Sequence, residues 1–176
     1  MRICGVSGSL RKASFNTALL HAVKDLVAPD HELHISSIAD IPLYDGDVED
    51  EHGIPKAVQR FAEDIRSADA FLIATPEYNA GIPGVLKNAM DWASRVQPNV
   101  FDGKPTAIMG ASPGRLGTVR AQLQLRNQLA NLNAKTVAQP MVYVGSAGEF
   151  LGEGKPGLGE PTKKLISLQI AALADI

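Results

Sequence analysis

The sequence predicts an α/β fold in three layers, with a doubly wound parallel sheet of five strands between two layers of helices. Short apolar segments alternate with amphipathic helical patterns from one end of the chain to the other. The connections between them are short, and neighbouring parallel strands need right-handed helical crossovers. A length of 176 residues, without an internal repeat or a dividing linker, suits one domain, so we expect a single domain over residues 1–176.

The first half of the chain predicts two strands and two helices. Residues 2–7 (RICGVS) are short and apolar, and residues 16–27 repeat apolar side chains at helical spacing. Residues 31–38 alternate with period two, which favours a strand nearer the sheet edge. The segment 41–53 is polar and predicts a loop. Pro55 then begins a helix over 55–66, because proline is well tolerated in the first helical turn.

The middle of the chain predicts the centre of the sheet. Residues 70–75 (AFLIAT) form the most continuous apolar run, as expected for a strand with helices on both faces. Residues 83–95 and 117–131 carry apolar stripes at helical spacing, and 105–112 (PTAIMGAS) is the strand between them. Two further strand–helix units therefore follow the first two.

The last part of the chain predicts one more strand and one more helix. Residues 134–144 form the fifth strand, which Pro140 interrupts in a way that suits a bulge or a sheet margin. The stretch 145–161 is rich in glycine and predicts a loop. A final helix is expected over 162–174.

Composition and charge exclude several classes of protein. Seventeen basic and 19 acidic side chains give a net charge of −2, so no basic excess indicates a nucleic-acid or anionic-membrane partner. One cysteine excludes intrachain disulfides and a cysteine-rich zinc site. No apolar run approaches the ~18 residues of a membrane span, and the amino terminus is typical of a strand rather than a signal peptide. We therefore expect a cytoplasmic protein.

The loop after the first strand predicts a phosphate site. In open parallel sheets, ligands bind beyond the carboxyl ends of the strands where the strand order reverses, which directs attention to loops 8–16, 76–82 and 112–118. The first of these loops precedes a helix start, whose unpaired N–H groups and positive dipole end attract anions. The loop supplies hydrogen-bonding side chains and an arginine that can grip a phosphate: Ser9, Ser14, Asn16 and Arg11. Alternatively, Ser14 or Asn16 only caps the helix and Arg11 is solvated.

The missing motifs narrow the phosphate compound to a mononucleotide. The chain lacks both the dinucleotide fingerprint G-x-G-x-x-G and the Walker motif. A short cradle rich in hydroxyl groups fits a terminal phosphomonoester better than a pyrophosphate. Cys4 and Arg11 do not have the spacing of a cysteine phosphatase. The sequence GVSGS lacks the late histidine that a hydrolase triad would need.

The loop after the third strand predicts a platform for a flat ligand. Pro76, Gly81, Pro83 and Gly84 fix its backbone and let a planar group approach the main chain. The main-chain groups of Tyr78 and Asn79 could bond the edge of a flavin. The positive start of the next helix would stabilise charge developing at N1–C2=O on reduction. From these residues alone, another planar ligand or a purely structural turn remains open.

Three motifs of the chain are informative together: GSLRKASFN at 8–16, PEYN at 76–79 and PGVLKNAMDWASR at 83–95. In combination they resemble the NADPH-dependent FMN reductases, and within them the chromate and quinone reductase branch. The resemblance implies a flavodoxin-like fold, bound FMN and hydride transfer from NADPH or NADH to FMN N5. It further implies that quinones, or acceptors such as chromate, azo compounds or free flavins, are reduced, and that the protein is a homodimer or homotetramer.

The resemblance also implies which residues bind FMN. The phosphate and ribityl end would contact Ser9, Arg11, Ser14, Phe15 and Asn16. The isoalloxazine would contact Pro76, Glu77, Tyr78 and Asn79, with Ser112 touching it from the third loop, where Pro113 removes an N–H. No side chain is predicted as a catalytic acid or base, because the cofactor carries the chemistry. No metal ligand is predicted.

Other functional interpretations remain beside this one. Arg115 and Arg120 are candidates for the phosphates of NAD(P)H. The acidic residues of 45–52 could bind a cation or cover a neighbouring subunit's site, but such clusters are usually only solvated. Two rival functions are a flavodoxin-type electron carrier without nicotinamide-dependent activity and a non-catalytic mononucleotide sensor.

Overall fold

A computed structural model describes residues 1–27 and 29–176 and contains one parallel sheet. The strand order β2-β1-β3-β4-β5 is that of flavodoxin-like doubly wound folds, and β6 also pairs with β4. This order confirms the predicted fold class. The strands are β1 (Arg2–Ser7), β2 (Glu32–Ser36), β3 (Ala70–Ala74), β4 (Pro105–Ala111), β5 (Lys135–Thr136) and β6 (Val142–Val144).

Helices cover both faces of the sheet and give the three layers. Leu19 and Ile166 belong to the hydrophobic cluster on one face, and Phe61, Leu86 and Leu125 to the cluster on the other. The helices are α1 (Phe15–Val27), α2 (Gly46–His52), α3 (Lys56–Arg66), α4 (Gly84–Ala93), α5 (Val119–Asn131) and α6 (Glu160–Ala171), with 3₁₀ turns at Ala147–Glu149 and Ala172–Asp175. Within residues 1–27 and 29–176, no helix is both long and apolar enough to span a membrane.

The short helix α2 lies where the sequence predicted only a loop, so that part of the prediction is wrong. No side chain of α2 is buried, and an element without a buried face leaves no apolar periodicity to detect. A cap begins it instead, because the Asp45 carboxylate accepts a hydrogen bond from the Asp47 N–H at 3.0 Å.

The predicted fifth strand is divided into β5 and β6, with Pro140 between them. Proline lacks the N–H that a continuous strand needs. The buried Gln169 carboxamide donates to the carbonyl of Ile108 at 3.0 Å and to that of Pro140 at 2.8 Å. A side chain of α6 therefore supplies hydrogen bonds where the division interrupts strand pairing.

The carboxyl ends of β1, β3 and β4 meet at one edge of the sheet. Gly8 N–H donates to the Ala74 carbonyl at 2.8 Å, and Thr75 N–H donates to the Met109 carbonyl at 2.9 Å. These bonds carry the sheet pairing one residue beyond the strands. The three loops that the sequence singled out therefore start side by side.

Candidate functional site

A cavity of about 270 Å³ opens at this edge of the sheet. It brings together every site residue that the sequence predicted except Asn79. Its lining consists of Ser9, Arg11, Ser14, Phe15, Asn16, Pro76, Glu77, Tyr78, Ala111, Ser112 and Pro113. Residues from three separate loops thus form one concave surface.

The first loop ends in a helix start with free donors. Ser14 caps α1, because its Oγ accepts the Thr17 N–H at 3.2 Å. Within the described ranges, the main-chain N–H groups of Phe15 and Asn16 have no protein acceptor, and the exposed Arg11 guanidinium forms no hydrogen bond. Capping by Ser14 and an anion site at the next two N–H groups are therefore compatible readings of the same segment.

The Asn16 carboxamide has a different task from the ligand hydrogen bond that we predicted for it. It donates to the Ala111 carbonyl at 2.9 Å, and its Oδ1 accepts the Ala111 N–H, also at 2.9 Å. Asn16 is buried, so this pair ties the start of α1 to the end of β4. Its main-chain N–H remains available to a ligand.

The first and second loops contact one another across the cavity. The Ser9 and Tyr78 hydroxyl groups lie 3.4 Å apart, and Ser9 Oγ also accepts the Arg11 N–H at 3.3 Å. Tyr78 is 52% exposed, so its ring forms part of the rim. This contact connects the loop predicted to bind the phosphate with the loop predicted to carry the planar ligand.

The second loop, residues 76–82, is called the ring loop below. Tyr78 and Gly81 exchange two main-chain hydrogen bonds, at 3.2 and 3.0 Å. Asn79 and Ala80 between them have positive φ angles of 50° and 62°, as in a type I′ turn. In the structure as described, the N–H groups of Glu77, Asn79 and Ala80 have no protein acceptor. Glu77 lines the cavity, and Asn79 and Ala80 follow in the same loop. The ring loop therefore carries free main-chain donors next to the cavity, as a platform for a planar ligand would.

Glu77 holds the ring loop to α5. Its side chain, 7% exposed, accepts hydrogen bonds from the N–H groups of Arg120 at 2.9 Å and Ala121 at 3.1 Å and from Arg120 Nε at 2.6 Å. Burial by itself would raise the pKa of Glu77, but these hydrogen bonds outweigh it and hold the pKa below its ordinary value. The Glu77 carboxylate is therefore already bonded to the start of α5. Only the main chain of Glu77 remains free to contact a ligand.

Arg120 is the partner of Glu77. Because its guanidinium pairs with that carboxylate, Arg120 is not the free cation for the phosphates of NAD(P)H that the sequence suggested. Thr118, the residue before α5, makes no side-chain cap, and Glu77 takes that place from 43 positions away along the chain. Sequence reasoning missed this partnership because nothing local signals it.

Ser112 touches the cavity with a hydroxyl that is already donating. Its Oγ lies 2.6 Å from the Gly117 carbonyl and 3.3 Å from that of Gly114, so its proton stays within the third loop. It keeps acceptor capacity toward a ligand. Pro113 lines the cavity beside it without an N–H, as the sequence indicated.

The acidic segment 41–53 is fastened to α4, where the Tyr44 N–H donates to Asn88 Oδ1, and to Arg95 just after that helix. Glu49 accepts hydrogen bonds from the Tyr44 hydroxyl at 2.9 Å and from Arg95 Nε. The hydrogen bond from Arg95 is the main cause that lowers the pKa of Glu49, and the hydrogen bond to Glu49 is the main cause that raises the pKa of Tyr44. On α4, Lys87 pairs with Asp91 at 2.5 Å, whereas Arg95, just after the helix, pairs with Glu49.

Sequence reasoning also missed Gly110, beside the cavity in β4. A Cβ built on it would overlap Thr118 Oγ1 and the Thr75 carbonyl. The backbone at Thr75 therefore lies so close to β4 that only glycine fits at position 110. An isolated glycine inside a strand pattern was the available signal.

Comparison with known proteins gives consistent results. Residues 1–149 match the family model described as NADPH-dependent FMN reductase. An NAD(P)H-dependent FMN reductase of Pseudomonas aeruginosa is 47% identical over 98% of this chain and 93% of its own length. A quinone reductase of Escherichia coli K12 is 43% identical over 86% of this chain and 77% of its own. The structure of FerB, a flavoenzyme NAD(P)H:(acceptor) oxidoreductase from Paracoccus denitrificans, is 34% identical with a TM-score of 0.85, over 98% of this chain and 95% of that one.

Proposed function

The chain belongs to the NADPH-dependent FMN reductase family, and we propose that it binds FMN in the cavity described above and oxidises NAD(P)H with quinones as acceptors. One observation carries the proposal. Free main-chain donors lie at the start of α1 and in the ring loop, on either side of one cavity, and the Ser9–Tyr78 contact joins the two loops. FMN has an anionic end and a planar end that match these two sets of donors.

The residues present fit FMN as a bound group. The phosphate would be held by the N–H groups of Phe15 and Asn16, at the positive end of α1, with Arg11 as counter-ion. The isoalloxazine would lie on the ring loop, with the N–H groups of Asn79 and Ala80 as donors. When bound, FMN supplies hydride acceptance at N5 from NAD(P)H and two-electron reduction of the quinone. The protein itself needs only to hold and orient the group.

The ring loop and α4 would also stabilise charge. Pro83 precedes α4, so the helix begins directly after the ring loop with its positive end there. Charge developing at N1–C2=O would lie against oriented donors that need no rearrangement. This arrangement gives the chain a way to favour reduction of the bound flavin without an acidic or basic side chain.

A direct test is a visible spectrum of the purified protein with FMN before and after anaerobic addition of NADPH or NADH, followed by a quinone. We expect bleaching of the flavin band and its return with the quinone. Bound FMN that neither nucleotide bleaches would favour the flavodoxin-type carrier. A protein that binds mononucleotides but no flavin would favour the sensor. Chromate, azo compounds and free flavins can be compared as acceptors in the same experiment.

Arg11→Ala is expected to weaken FMN binding about 10- to 100-fold, because a charge-assisted hydrogen bond contributes about 1.5–3 kcal/mol. Fluorescence titration of the apoprotein would measure it. Riboflavin, which lacks the phosphate, should bind both proteins equally. Lys24→Ala, an exposed cation in the last turn of α1, is the matched control. Equal FMN affinity of Arg11→Ala and wild type would remove the phosphate assignment.

We also propose that residues 1–176 act as one FMN-binding domain that works as a cytoplasmic homodimer or homotetramer. Large exposed apolar side chains, among them Leu43 at 84% and Leu116 at 66%, support self-association. Light scattering across a range of protein concentrations would distinguish monomer, dimer and tetramer. A monomer at all concentrations would contradict the assembly.

A further inference from the structure

Gln124, on α5, makes two hydrogen bonds to the main chain of the ring loop. Its Nε2 donates to the Ala80 carbonyl at 3.1 Å, and its Oε1 accepts the Ile82 N–H at 3.3 Å. The carboxamide therefore occupies the place of a neighbouring strand, with one donor and one acceptor in register. A side chain that forms no part of the cavity lining thus contacts the loop on which we place the flavin ring.

The ring loop leaves room for this carboxamide and needs its support. A Cβ on Gly81 would lie 3.2 Å from Gln124 Oε1, so a side chain at position 81 would press on the contact. Ala80 has a φ of 62°, a conformation that residues other than glycine seldom adopt and that costs free energy. Such a conformation persists where surrounding contacts impose it. Gln124 bonds the residues on both sides of Gly81, since it donates to the Ala80 carbonyl and accepts the Ile82 N–H.

Two side-chain attachments together join the ring loop to α5. Glu77 attaches its beginning to the start of α5, and Gln124 attaches its end one helical turn later. The internal hydrogen bonds between Tyr78 and Gly81 close the turn without connecting it to the body of the protein. The orientation of the N–H groups of Asn79 and Ala80 therefore depends on these two attachments, together with the Ser9–Tyr78 contact to the first loop.

We propose that Gln124 is a positioning residue that sets the reduction potential of the bound flavin by orienting the donors of the ring loop. The inference rests on the proposed function, since it takes FMN as the ligand. Reduction places negative charge at N1–C2=O, and aligned N–H donors stabilise that charge more than the neutral oxidised ring. Misaligned donors should consequently weaken binding of reduced FMN more than binding of oxidised FMN.

The test uses two variants and a control. Gln124→Leu removes both hydrogen bonds and keeps a good helix former of similar length. Gln124→Glu retains the acceptor for the Ile82 N–H and loses the donor to the Ala80 carbonyl. Asn127→Leu adds an exposed leucine to the same helix at a residue with no hydrogen bond from its side chain within residues 1–27 and 29–176.

The two readouts are the FMN dissociation constant of the apoprotein and the midpoint potential of the bound flavin in a dye-equilibrated titration. For Gln124→Leu we expect binding of reduced FMN to weaken about tenfold more than binding of oxidised FMN. For a two-electron couple, that ratio lowers the potential by about 30 mV. Gln124→Glu loses the donor to the Ala80 carbonyl and adds a negative charge near the site, so its potential should also fall below that of the wild type. Asn127→Leu should match the wild type.

The outcomes separate this inference from the function on which it rests. If the wild type binds FMN and Gln124→Leu keeps the same potential, the inference is overturned and the proposed function stands. Equal weakening of both redox states would reduce Gln124 to a structural role and also overturn it. A wild type that binds no FMN would overturn both together.

Discussion

Gly110→Ala should destabilise the protein by at least about 3 kcal/mol, a large part of a domain's usual ~5–15 kcal/mol, and should leave most of it unfolded or aggregated on expression. The new Cβ would overlap the Thr75 carbonyl and Thr118 Oγ1. The carbonyl belongs to the backbone, so a rotamer change cannot relieve the overlap. Urea unfolding followed by circular dichroism measures the effect.

Gly84→Ala provides the matched control for this substitution. Gly84 begins α4, and a Cβ there would have no other atom within 4 Å. Alanine should be neutral or stabilise by up to about 1 kcal/mol, because it loses less backbone entropy than glycine in a helix. If Gly110→Ala unfolded cooperatively with a free energy within about 1 kcal/mol of the wild type, the close approach of Thr75 and Thr118 to β4 described above would be wrong.

Glu77→Ala is expected to destabilise the fold by about 2–4 kcal/mol and to weaken FMN binding at least about tenfold. The N–H groups of Arg120 and Ala121 would lose their acceptor, and a hydrogen bond to a charged group contributes about 1.5–3 kcal/mol. The ring loop would lose one of its two attachments to α5. Chemical denaturation and FMN titration of the same preparation measure the two effects.

The contribution of the Glu77 charge should depend on pH with a definite sign. Because the pKa of Glu77 in the folded protein lies below its ordinary value, its charge stabilises the fold above the unfolded pKa of about 4.3. That stabilisation is lost as the pH falls through the lower pKa of the folded state. Glu77→Gln removes the charge and turns one of the two accepting oxygens into a donor. The part of its effect that comes from the charge should therefore be largest near pH 7 and smallest in acid.

Glu63→Ala is the control for both Glu77 experiments. Glu63 pairs with Arg66 at 2.8 Å on the exposed face of α3, and such a pair contributes about 0–1 kcal/mol. An equal loss of stability in Glu63→Ala and Glu77→Ala would show that burial and the capping of α5 add nothing, contrary to our interpretation.

The sheet and the location of the site could be predicted from the sequence because both have local signals. The continuous apolar run at 70–75 indicates a central strand, and the loops after β1 and β3 carry the motifs that the cavity brings together. The role of proline in the fifth strand was likewise visible at Pro140. These features depend on hydrophobic periodicity and on residues within one loop.

The supporting contacts could not be predicted, because they join residues far apart in the chain. Glu77 caps α5 from 43 positions away, and Asn16 pairs with Ala111 across 95. Both are polar side chains next to motifs, so the sequence assigned them to the ligand, whereas the structure assigns them to neighbouring backbone. Helix α2 could not be predicted either, but for a different reason. None of its side chains is buried, so its sequence has no apolar periodicity.

The central claim is that one cavity holds FMN with its phosphate at the start of α1 and its ring on the ring loop. A crystal structure of the protein grown with FMN tests it most directly. We expect phosphate oxygens within hydrogen-bonding distance of the Phe15 and Asn16 N–H groups and the pyrimidine edge of the ring at Asn79 and Ala80. A flavin bound elsewhere, or in this cavity with its ends reversed, would contradict the account.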